Sequence, residues 1–342
     1  MKIMQAIGGA GHGGAETFFV NLALAFSRAG MDQLLATRAN PVRDTALQEG
    51  GLQPVNLKFG GALDWRTPRT LKQLAADYQP DIFLSWMSRA ASMTPDGDFT
   101  KVARIGGYYK LKYFNKCDHL VGITRHLCDY IIDNGWPADR VHYIPNFVHW
   151  TPSPPVSRAD LDTPEDAPLL LALGRLHPCK GLDVAIRALA DIKDAYLWIG
   201  GEGAILPDLQ ALAADLGVES RVRFLGWRTD KEALLATADI CVFPSRQEGF
   251  GNVILEAWAS KTPIVAARAT GPEAYIDHGR TGMLAPIDDH QTLAAHIRDL
   301  IHDKALYQSI VAAAEAEYLG SFNESAAVKR WQDFFETVKP SR

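Results

Sequence analysis

The stretch ICVFPSRQEGFGNVILEAWAS, residues 240–260, contains a complete strand–loop–helix unit. The apolar run 240–243 is typical of a buried strand in a parallel sheet. Gly249 and Gly251 allow the backbone to approach a ligand closely, and residues 252–260 form a helical pattern whose first N–H groups suit an anion. Because ligands bind at the carboxyl ends of parallel strands, the stretch predicts a binding site on an α/β fold.

Apolar runs of strand type alternate with helix-period segments on both sides of this unit, which predicts parallel, doubly wound sheets. Strands are predicted at 1–7, 33–37, 82–85, 103–105, 120–123, 141–144, 169–173, 195–199, 222–224, 240–243 and 264–267. Helices are predicted at 15–26, 68–77, 126–134, 182–191, 207–216, 231–238, 252–260, 290–301 and 324–338.

The composition changes in the middle of the chain. Residues 151–168 contain five prolines and few apolar residues, which is typical of a linker between domains. We therefore predict a Rossmann-like domain over 1–150, a linker over 151–168, a second Rossmann-like domain over 169–321 and a C-terminal segment over 322–342. The helix 324–338 carries Val328, Trp331, Phe334 and Phe335 on one face.

A glycine motif follows the first predicted strand. GAGHGG, residues 9–14, fits G-x-G-x-x-G between a strand and a helix, as in dinucleotide-binding folds. Such a site needs an acidic residue at the end of the second strand, where this chain has Thr37 and Arg38. Arg38 could meet a 2′-phosphate, so an NADPH-dependent Rossmann oxidoreductase is one alternative.

Two cations and two carboxylates occupy loops or helix starts that follow strands. GRLHPCKGLD, residues 174–183, places Arg175 and Lys180 after the strand 169–173, where they could clamp a diphosphate. Glu248 precedes the glycines of the loop already quoted, and Glu256 lies one turn into the following helix. A carboxylate beside a phosphate would be repelled, so we expect Glu256 to accept hydrogen bonds from sugar hydroxyls.

Composition excludes several classes of protein. The 342 residues include 47% hydrophobic and 22% charged residues with a net charge of −5, which favours a soluble globular protein and not a nucleic-acid binder. The four cysteines lack metal-ligand spacing, and no apolar run is long enough to span a bilayer. We expect a reduced, cytoplasmic protein that needs no cofactor.

Arg175 and Lys180, followed by Glu248 and Glu256 in an E-x7-E arrangement, resemble the family-four retaining glycosyltransferases of the GT-B fold. Further similar stretches are GGAE (13–16), IPN (144–146), WIGGEG (198–203), RFLG (223–226) and GPEAYIDHGRTGMLAP (271–286). The resemblance covers nearly all of residues 169–290 and rests on fewer residues in the first half.

This resemblance implies an α/β GT-B architecture, in which two Rossmann-like domains face each other across a cleft and a C-terminal helix crosses back to the first domain. It also implies metal-independent transfer of a sugar, with retained anomeric configuration, from a nucleotide-sugar donor. The expected nucleotide of the donor is UDP, and GDP is the next candidate. The expected acceptor is a saccharide or lipid-linked saccharide of a bacterial surface glycan, such as a lipopolysaccharide core.

Residue roles follow from the same resemblance. Arg175, Lys180 and Glu248 would be catalytic: the two cations would bind the diphosphate, and Glu248 would hold the hydroxyls of the sugar. Glu256 would bind the ribose, and the 225–228 loop would contact the base. The donor would contact Gly13, Gly14, Leu225, Gly249, Phe250, Gly251, Asn252 and Glu256.

One departure concerns the acceptor side. Many members of the family carry a histidine shortly after the fourth strand, and this chain has none between Trp86 and Asp118. Tyr108 or Tyr109 could take over part of that role, as could Asp96 or Asp98 from the preceding loop. His12, inside the glycine motif, is a further residue that could contact the acceptor.

The segment YYKLKYFNK, residues 108–116, interleaves lysines with aromatic residues. Such a pattern suits either peripheral contact with the inner membrane surface or a phosphorylated, lipid-linked acceptor, and equally a half-buried helix with outward lysines.

Three further alternatives remain at this stage. A metal-dependent sugar transferase would use an Asp-x-Asp site, which occurs at Asp96-Gly97-Asp98 and Asp160-Leu161-Asp162. A non-catalytic sugar-nucleotide-binding protein would bind the donor without turnover. A sugar-nucleotide epimerase of the same shape would require a different acid/base set.

Overall fold

The computed structural model describes residues 1–9, 13–61 and 63–340. The chain forms two compact units, of which the first contains Met1–Asn146 with Glu324–Arg342 and the second contains Phe147–Asn323.

The first unit is built on a seven-stranded parallel sheet with the strand order β3-β2-β1-β4-β5-β6-β7. Its strands are β1 (Lys2–Ile7), β2 (Asp32–Arg38), β3 (Val55–Leu57), β4 (Ile82–Trp86), β5 (Thr100–Ile105), β6 (His119–Gly122) and β7 (Val141–Tyr143). Its helices are α1 (Gly14–Arg28), α2 (Pro41–Glu49), α3 (Arg66–Tyr78), α4 (Met87–Ser92), α5 (Arg125–Asp133) and the C-terminal α13 (Glu324–Val338).

Helix α13 packs on α1 through aromatic side chains. Trp331 and Phe335 are fully buried, and their rings lie 6.2 and 6.0 Å from the ring of Phe26 in edge-on contacts. Arg28 at the end of α1 pairs with Glu324 at 2.6 Å. Truncating a buried ring of this kind costs about 3–5 kcal/mol, so these contacts anchor the C-terminal segment to the first unit.

The second unit contains a six-stranded parallel sheet with the order β10-β9-β8-β11-β12-β13. Its strands are β8 (Leu169–Leu173), β9 (Tyr196–Gly200), β10 (Val222–Gly226), β11 (Ile240–Phe243), β12 (Ile264–Ala267) and β13 (Met283–Ala285). Its helices are α6 (Leu182–Ala190), α7 (Leu206–Asp215), α8 (Lys231–Thr237), α9 (Asn252–Ala259), α10 (Thr270–Tyr275), α11 (His290–His302) and α12 (Lys304–Glu317), followed by a π-helical turn (Tyr318–Phe322).

The proline-rich segment packs on the second unit. Arg158 donates to the carbonyl of Thr237 at 2.8 Å and pairs with Asp239 at 3.0 Å. The indole N–H of Trp198 donates to the hydroxyl of Thr163 at 2.9 Å. Residues 156–163 are therefore fixed to this unit although their composition is typical of a linker.

The predicted fold class is confirmed, since both units are parallel α/β sheets with helices and the C-terminal helix spans 324–338. Sequence reasoning missed the short strands β3 and β13 and the helices α2, α4, α10 and α12. Helix α2 buries only Arg43 and Leu47, so its apolar period is weak.

Two histidines lie beneath α13. Nδ1 of His119 and Nε2 of His142 are 3.0 Å apart, and the His142 ring lies 4.6 Å from the ring of Phe334. Burial, and secondarily the neighbouring His119, lower the pKa of His142 to about 4. Only one proton fits between the two nitrogens, so protonation of both imidazoles would force them apart.

We expect acidification to destabilise the first unit through this pair. An unfolded histidine titrates near about 6.5, so between that pH and about 4 the unfolded chain binds more protons than folded His142 does. The free energy of unfolding therefore falls as the pH drops through this window. Urea unfolding at pH 7 and 5 should show a loss in the free energy of unfolding on the order of 1 kcal/mol, allowing for solvent screening. The loss should be smaller in His142→Asn, where only His119, whose pKa burial also lowers, still contributes.

His126, which is exposed on α5, provides the matched control. His126→Asn should keep the pH dependence of the wild-type protein. Equal pH dependence in the wild type and in His142→Asn would contradict the expected role of the pair.

Candidate functional site

Loops after three strands of the second unit are joined by main-chain hydrogen bonds. Beyond β8 and β9, the Gly174 N–H donates to the Gly200 carbonyl at 3.0 Å, and the Leu176 N–H donates to the Glu202 carbonyl at 2.8 Å. Beyond β10, the Gly226 carbonyl accepts from the Gly201 N–H at 2.7 Å. Because the strands are parallel, these loops lie together at the carboxyl edge of the sheet.

Glycines permit the loops to approach one another. A Cβ on Gly201 would lie 1.9 Å from the carbonyl oxygen of Gly174, which no side chain tolerates. Gly181 has a φ of +63°, and a Cβ there would lie 2.1 Å from the Pro244 carbonyl oxygen. The loop after β8 therefore rests directly on the loop after β11.

This contact brings together two of the predicted catalytic residues. Lys180 ends a short helical turn (Pro178–Lys180), and its Nζ lies 2.6 Å from Oε2 of Glu248. The two side chains are 19% and 17% exposed, so the ion pair is partly shielded from water. The Lys180 ammonium also lies 5.8 Å from the ring centroid of Phe243.

Arg175, by contrast, is exposed and makes no ion pair with any residue that the structure describes. It follows β8 by two residues, at the same edge as Lys180. Its guanidinium is thus available to an anion that approaches this edge, whereas Lys180 would have to share its charge with Glu248.

The loop that precedes α9 is held in place by its neighbours. The Gly271 N–H donates to the Glu248 carbonyl at 2.9 Å, and the Tyr275 hydroxyl donates to the carbonyls of Phe250 and Gly251. The ring of Phe250 is buried and stacks on Tyr275 at 5.1 Å, so only its backbone is available to a ligand.

The first turn of α9 follows directly from this loop. Gly251 adopts a φ of +86° and precedes Asn252, the first helical residue. The Ile254 N–H donates to the Gly251 carbonyl at 2.9 Å, so it is not available to a ligand. The start of α9 nevertheless lies at the same edge as Lys180, and the positive end of a helix dipole there favours an anion.

Glu256 pairs with a lysine that sequence reasoning missed. Its Oε1 accepts from Nζ of Lys231, the first residue of α8. The Glu256 side chain is 9% exposed and that of Lys231 is 42% exposed. The sequence places Lys231 at the start of a predicted helix, but no local pattern pairs it with Glu256.

Leu225, in β10, is half-buried, and the neighbouring Trp227 is 67% exposed.

Arg246 is a second residue that sequence reasoning missed. Its guanidinium pairs with Asp183 at 2.6 Å and with Asp288 at 2.6 Å. Its main-chain N–H donates to the Cys179 carbonyl at 2.8 Å. Hydrogen bonding to Asp183 raises the pKa of Arg246 above its ordinary value. Arg246 therefore ties the Lys180 turn to the loop that carries Glu248.

In the first unit, the predicted glycine motif lies between β1 and α1. Gly13 precedes the helix, Gly14 is its first residue, and both are exposed. A Cβ on Gly9 would lie 2.1 Å from Oε1 of Glu16, and one on Gly13 would lie 2.6 Å from Oε2, so the Glu16 carboxylate lies against the backbone of both glycines. His12 lies outside the described residues.

Tyr108 and Tyr109 follow β5 at the carboxyl edge of the first sheet. Tyr108 is 61% exposed, whereas burial, reinforced by Glu16, raises the pKa of Tyr109. Close by, Arg104 is fully buried against the rings of Phe18 and Trp86, with its guanidinium carbon 4.3 and 4.7 Å from their centroids. Burial lowers the pKa of Arg104 to about 9.

Arg104 also contacts the IPN stretch, residues 144–146. Its Nη2 donates to Oδ1 of Asn146, which places the last residue of that motif against the buried guanidinium. Arg104 was missed because it lies within an otherwise apolar strand.

Asp96 and Asp98 lie at the opposite edge of the sheet. They precede β5, whose first residue, Thr100, pairs with Ile82, the first residue of β4. They are therefore at the amino edge and cannot replace a histidine near the glycine motif. Over residues 1–9, 13–61 and 63–340, no group of three or more His, Cys, Asp or Glu side chains is placed to hold a metal ion.

Within the same part of the chain, none of the helices combines the length and the apolar character needed to cross a bilayer.

Family models match both halves of the chain. A model described as Glycosyltransferase Family 4 matches residues 12–149, and one described as Glycosyl transferases group 1 matches residues 167–303.

Two relatives from Rhizobium meliloti are similar over almost the full length. The lipopolysaccharide core biosynthesis glycosyltransferase LpsE is 34% identical, over 92% of this chain and 93% of the relative. Its counterpart LpsD is 33% identical, over 98% of each chain.

A solved structure has the same fold. The Anabaena protein Alr3699/HepE in complex with UDP aligns with a TM-score of 0.84 and 21% identity, over 99% of this chain and 100% of the other. The GT-B architecture implied by the resemblance is thereby confirmed.

The contact between the Lys180 turn and the Pro244 carbonyl predicts a difference between two glycine substitutions. Gly217 has a φ of +65° with nothing within 4 Å of an added Cβ. Gly217→Ala should therefore lower the free energy of unfolding by about 1 kcal/mol, through backbone strain alone. Gly181→Ala should cost about 1–3 kcal/mol more in urea unfolding, because the methyl group overlaps the carbonyl. Equal losses for the two variants would show that the loops do not touch.

Proposed function

The chain belongs to the family-4 glycosyltransferases, and we propose that it transfers a sugar from a UDP-sugar to a saccharide of a lipopolysaccharide core with retention of anomeric configuration. Glycosyltransferase activity follows from the family. The base, the stereochemistry and the acceptor are the proposed parts. Family membership also sets aside an NADPH-dependent oxidoreductase as the meaning of the glycine motif.

The observation that carries the proposal is the arrangement of Arg175, Lys180 and Glu248 at one edge of the second sheet. A donor diphosphate carries about two negative charges, and it would meet the exposed guanidinium of Arg175 and the shielded ammonium of Lys180 there. Lys180 would then share its N–H donors between the phosphate and Glu248. The protein's own cations would thus supply the charge that a metal ion supplies in other transferases.

The remaining groups suit the rest of the donor. Glu248 would accept hydrogen bonds from hydroxyls of the transferred sugar, and the backbone of Gly249, Phe250 and Gly251, with Asn252, would line the same position. Glu256, oriented by Lys231, would accept from the ribose hydroxyls. Leu225 and its loop would lie against the base.

In the proposed reaction, the acceptor hydroxyl oxygen bonds to the anomeric carbon on the face from which UDP departs. The bond between that carbon and the phosphate oxygen breaks, and the acceptor proton passes to the departing phosphate. Arg175 and Lys180 stabilise the negative charge that develops on the diphosphate. Their effect is electrostatic and depends on positioning that the folded loops provide in advance.

The first unit would bind the acceptor. Gly13 and Gly14 offer exposed backbone to a ligand. The raised pKa of Tyr109 keeps its phenol protonated, which makes it a hydrogen-bond donor to the acceptor rather than a base. Tyr108 is exposed and available to the acceptor. We also propose that His12 contacts the acceptor.

Relatives support the finer parts of the proposal. LpsE and LpsD are named as lipopolysaccharide core enzymes, which favours a core saccharide as acceptor. The Anabaena protein was crystallised with UDP, which favours uracil over guanine as the base of the donor nucleotide.

A sugar-nucleotide-binding protein without turnover is the second candidate. The observation that favours it is the chain's lack of a histidine between Trp86 and Asp118, which other members use near the transferred sugar.

A transfer assay tests the function. With UDP-sugars, deacylated core oligosaccharide and EDTA, we expect UDP release and a product whose anomeric configuration, read by NMR, matches the donor. Glu256→Gln should weaken UDP binding about tenfold in calorimetry, because a charged acceptor for the ribose hydroxyls is lost. Glu219→Gln, on an exposed turn, should bind UDP like the wild type.

Inversion of the anomeric carbon, or loss of activity in EDTA, would contradict the proposed mechanism. UDP binding without transfer to any core oligosaccharide would favour the non-catalytic alternative.

We also propose that the protein acts in the cytoplasm at the inner membrane surface, through the turn at residues 108–116. Phe114 is buried and anchors this turn, whereas Lys110, Lys112 and Lys116 are exposed. Tyr113 is 43% exposed beside Lys112. Lysines flanking interfacial aromatic rings suit anionic headgroups.

Flotation with vesicles tests this surface. Each lysine near an anionic bilayer contributes about 1 kcal/mol, so replacing three should weaken binding to phosphatidylglycerol-containing vesicles by more than about tenfold. The test variant replaces Lys110, Lys112 and Lys116 by Gln, and the control replaces Lys72, Lys193 and Lys304 by Gln. Equal binding by the two variants would contradict membrane contact through this turn.

A further inference from the structure

A loop in the first unit presents a large aromatic ring to solvent. It follows β3 and precedes α3, and we refer to residues 58–61 and 63–65 as the Trp65 loop. Trp65 is 64% exposed and the adjoining Leu63 is 94% exposed. Both lie at the carboxyl edge of the sheet, where loops of this fold contact ligands.

The backbone of this loop is fixed although its tip is exposed. Oδ2 of Asp64 accepts from the Gly60 N–H and from the Thr67 hydroxyl, each at 2.7 Å, and Oδ1 accepts from the Thr67 N–H at 3.0 Å. Phe59 is fully buried with a φ of +42°, and its N–H donates to the Thr67 hydroxyl at 3.2 Å. A non-glycine residue in this conformation requires support from its surroundings.

A fixed loop with an exposed tryptophan is unusual for a surface that binds nothing. Burying a ring of this size is favourable, yet the Trp65 ring stays largely in solvent beside a backbone that hydrogen bonds fix. Large apolar groups held in water on ordered loops mark binding surfaces.

Two cations and one carboxylate lie around the ring. The Arg66 guanidinium lies 5.4 Å from the Trp65 ring centroid, and Lys58 lines the same concavity of about 450 Å³. Neither cation pairs with a carboxylate in the part of the chain that the structure describes. Asp64 lines the same concavity, but its carboxylate already accepts three hydrogen bonds, one from Gly60 in the loop and two from Thr67 in α3.

The Trp65 loop contacts Gly8, the residue that directly precedes the glycine motif. Nη1 of Arg89 donates to the Phe59 carbonyl at 3.3 Å and to the Gly8 carbonyl at 3.3 Å. A Cβ on Gly8 would lie 3.1 Å from the Phe59 ring, so the two loops are in contact. A molecule seated on Trp65 would therefore extend towards Gly9 and Gly13.

We propose that the Trp65 loop binds an anionic saccharide unit of the acceptor. The Trp65 ring stacks on the apolar face of one sugar, and Lys58 and Arg66 bind a phosphate or carboxylate that the same saccharide carries. That this ligand is the acceptor rests on the proposed function. The loop would then favour acceptors that carry a negative charge.

Direct binding of a defined saccharide tests this site. The probe is deacylated lipopolysaccharide core oligosaccharide, which carries phosphate and carboxylate groups, measured by calorimetry against wild type, Trp65→Ala and Trp65→Phe. We expect Trp65→Ala to weaken oligosaccharide binding about tenfold, and Trp65→Phe to retain most of it. UDP binding should be the same in all three proteins.

Charge is tested with modified probes. Lys58→Gln with Arg66→Gln should weaken binding of the native oligosaccharide and leave that of its dephosphorylated, carboxyl-reduced form unchanged. Removing only phosphate, or only carboxylate, identifies which group the cations bind. Val42→Ala, which alters an equally exposed apolar side chain in the same unit, should bind like the wild type.

Unchanged oligosaccharide binding by Trp65→Ala, or equal binding of native and neutral forms by the wild type, would overturn the inference. A protein that binds the oligosaccharide through Trp65 but transfers no sugar would support the inference and contradict the proposed function. A protein that transfers sugar equally well with Trp65→Ala would contradict the inference alone.

Discussion

Close packing of backbone against backbone at the carboxyl edge of the second sheet is the constraint on which the site depends. Gly201 and Gly181 stand where a Cβ would lie about 2 Å from a carbonyl oxygen of another loop. Because these contacts leave no space for side chains, the loops after β8 and β11 can hold Lys180 and Glu248 within 2.6 Å of each other. Arg246 strengthens the same contact through Asp183 and Asp288.

The arginines of the two units differ in burial. In the second unit, Arg175 is exposed and unpaired among the described residues, which suits a ligand that arrives from solution. In the first unit, Arg104 is buried between two aromatic rings and bonded to Asn146, which suits a structural role near the end of β5, before Tyr108 and Tyr109. Arg104 is thus enclosed, Arg175 is open to an incoming ligand, and Lys180, 19% exposed and paired with Glu248, is intermediate between them.

Residues that are close in sequence were predictable, and contacts between distant elements were not. Glu248, the glycines after it and Glu256 occur within one strand–loop–helix unit, so their common edge followed from the pattern. The Lys231–Glu256 pair joins two helices, and no local period reports it. Strands β3 and β13 have three residues each at the sheet edges, too short for a clear alternation. The pattern also did not distinguish Asp96, at the amino edge, from residues beside the glycine motif.

The most direct measurement is a crystal structure of the protein with bound UDP. We expect diphosphate oxygens within hydrogen-bonding distance of the Arg175 guanidinium and the Lys180 ammonium, and ribose hydroxyls on Glu256. UDP bound instead at the glycine motif of the first unit, without contact to Lys180, would contradict the assignment of the donor site to the second unit.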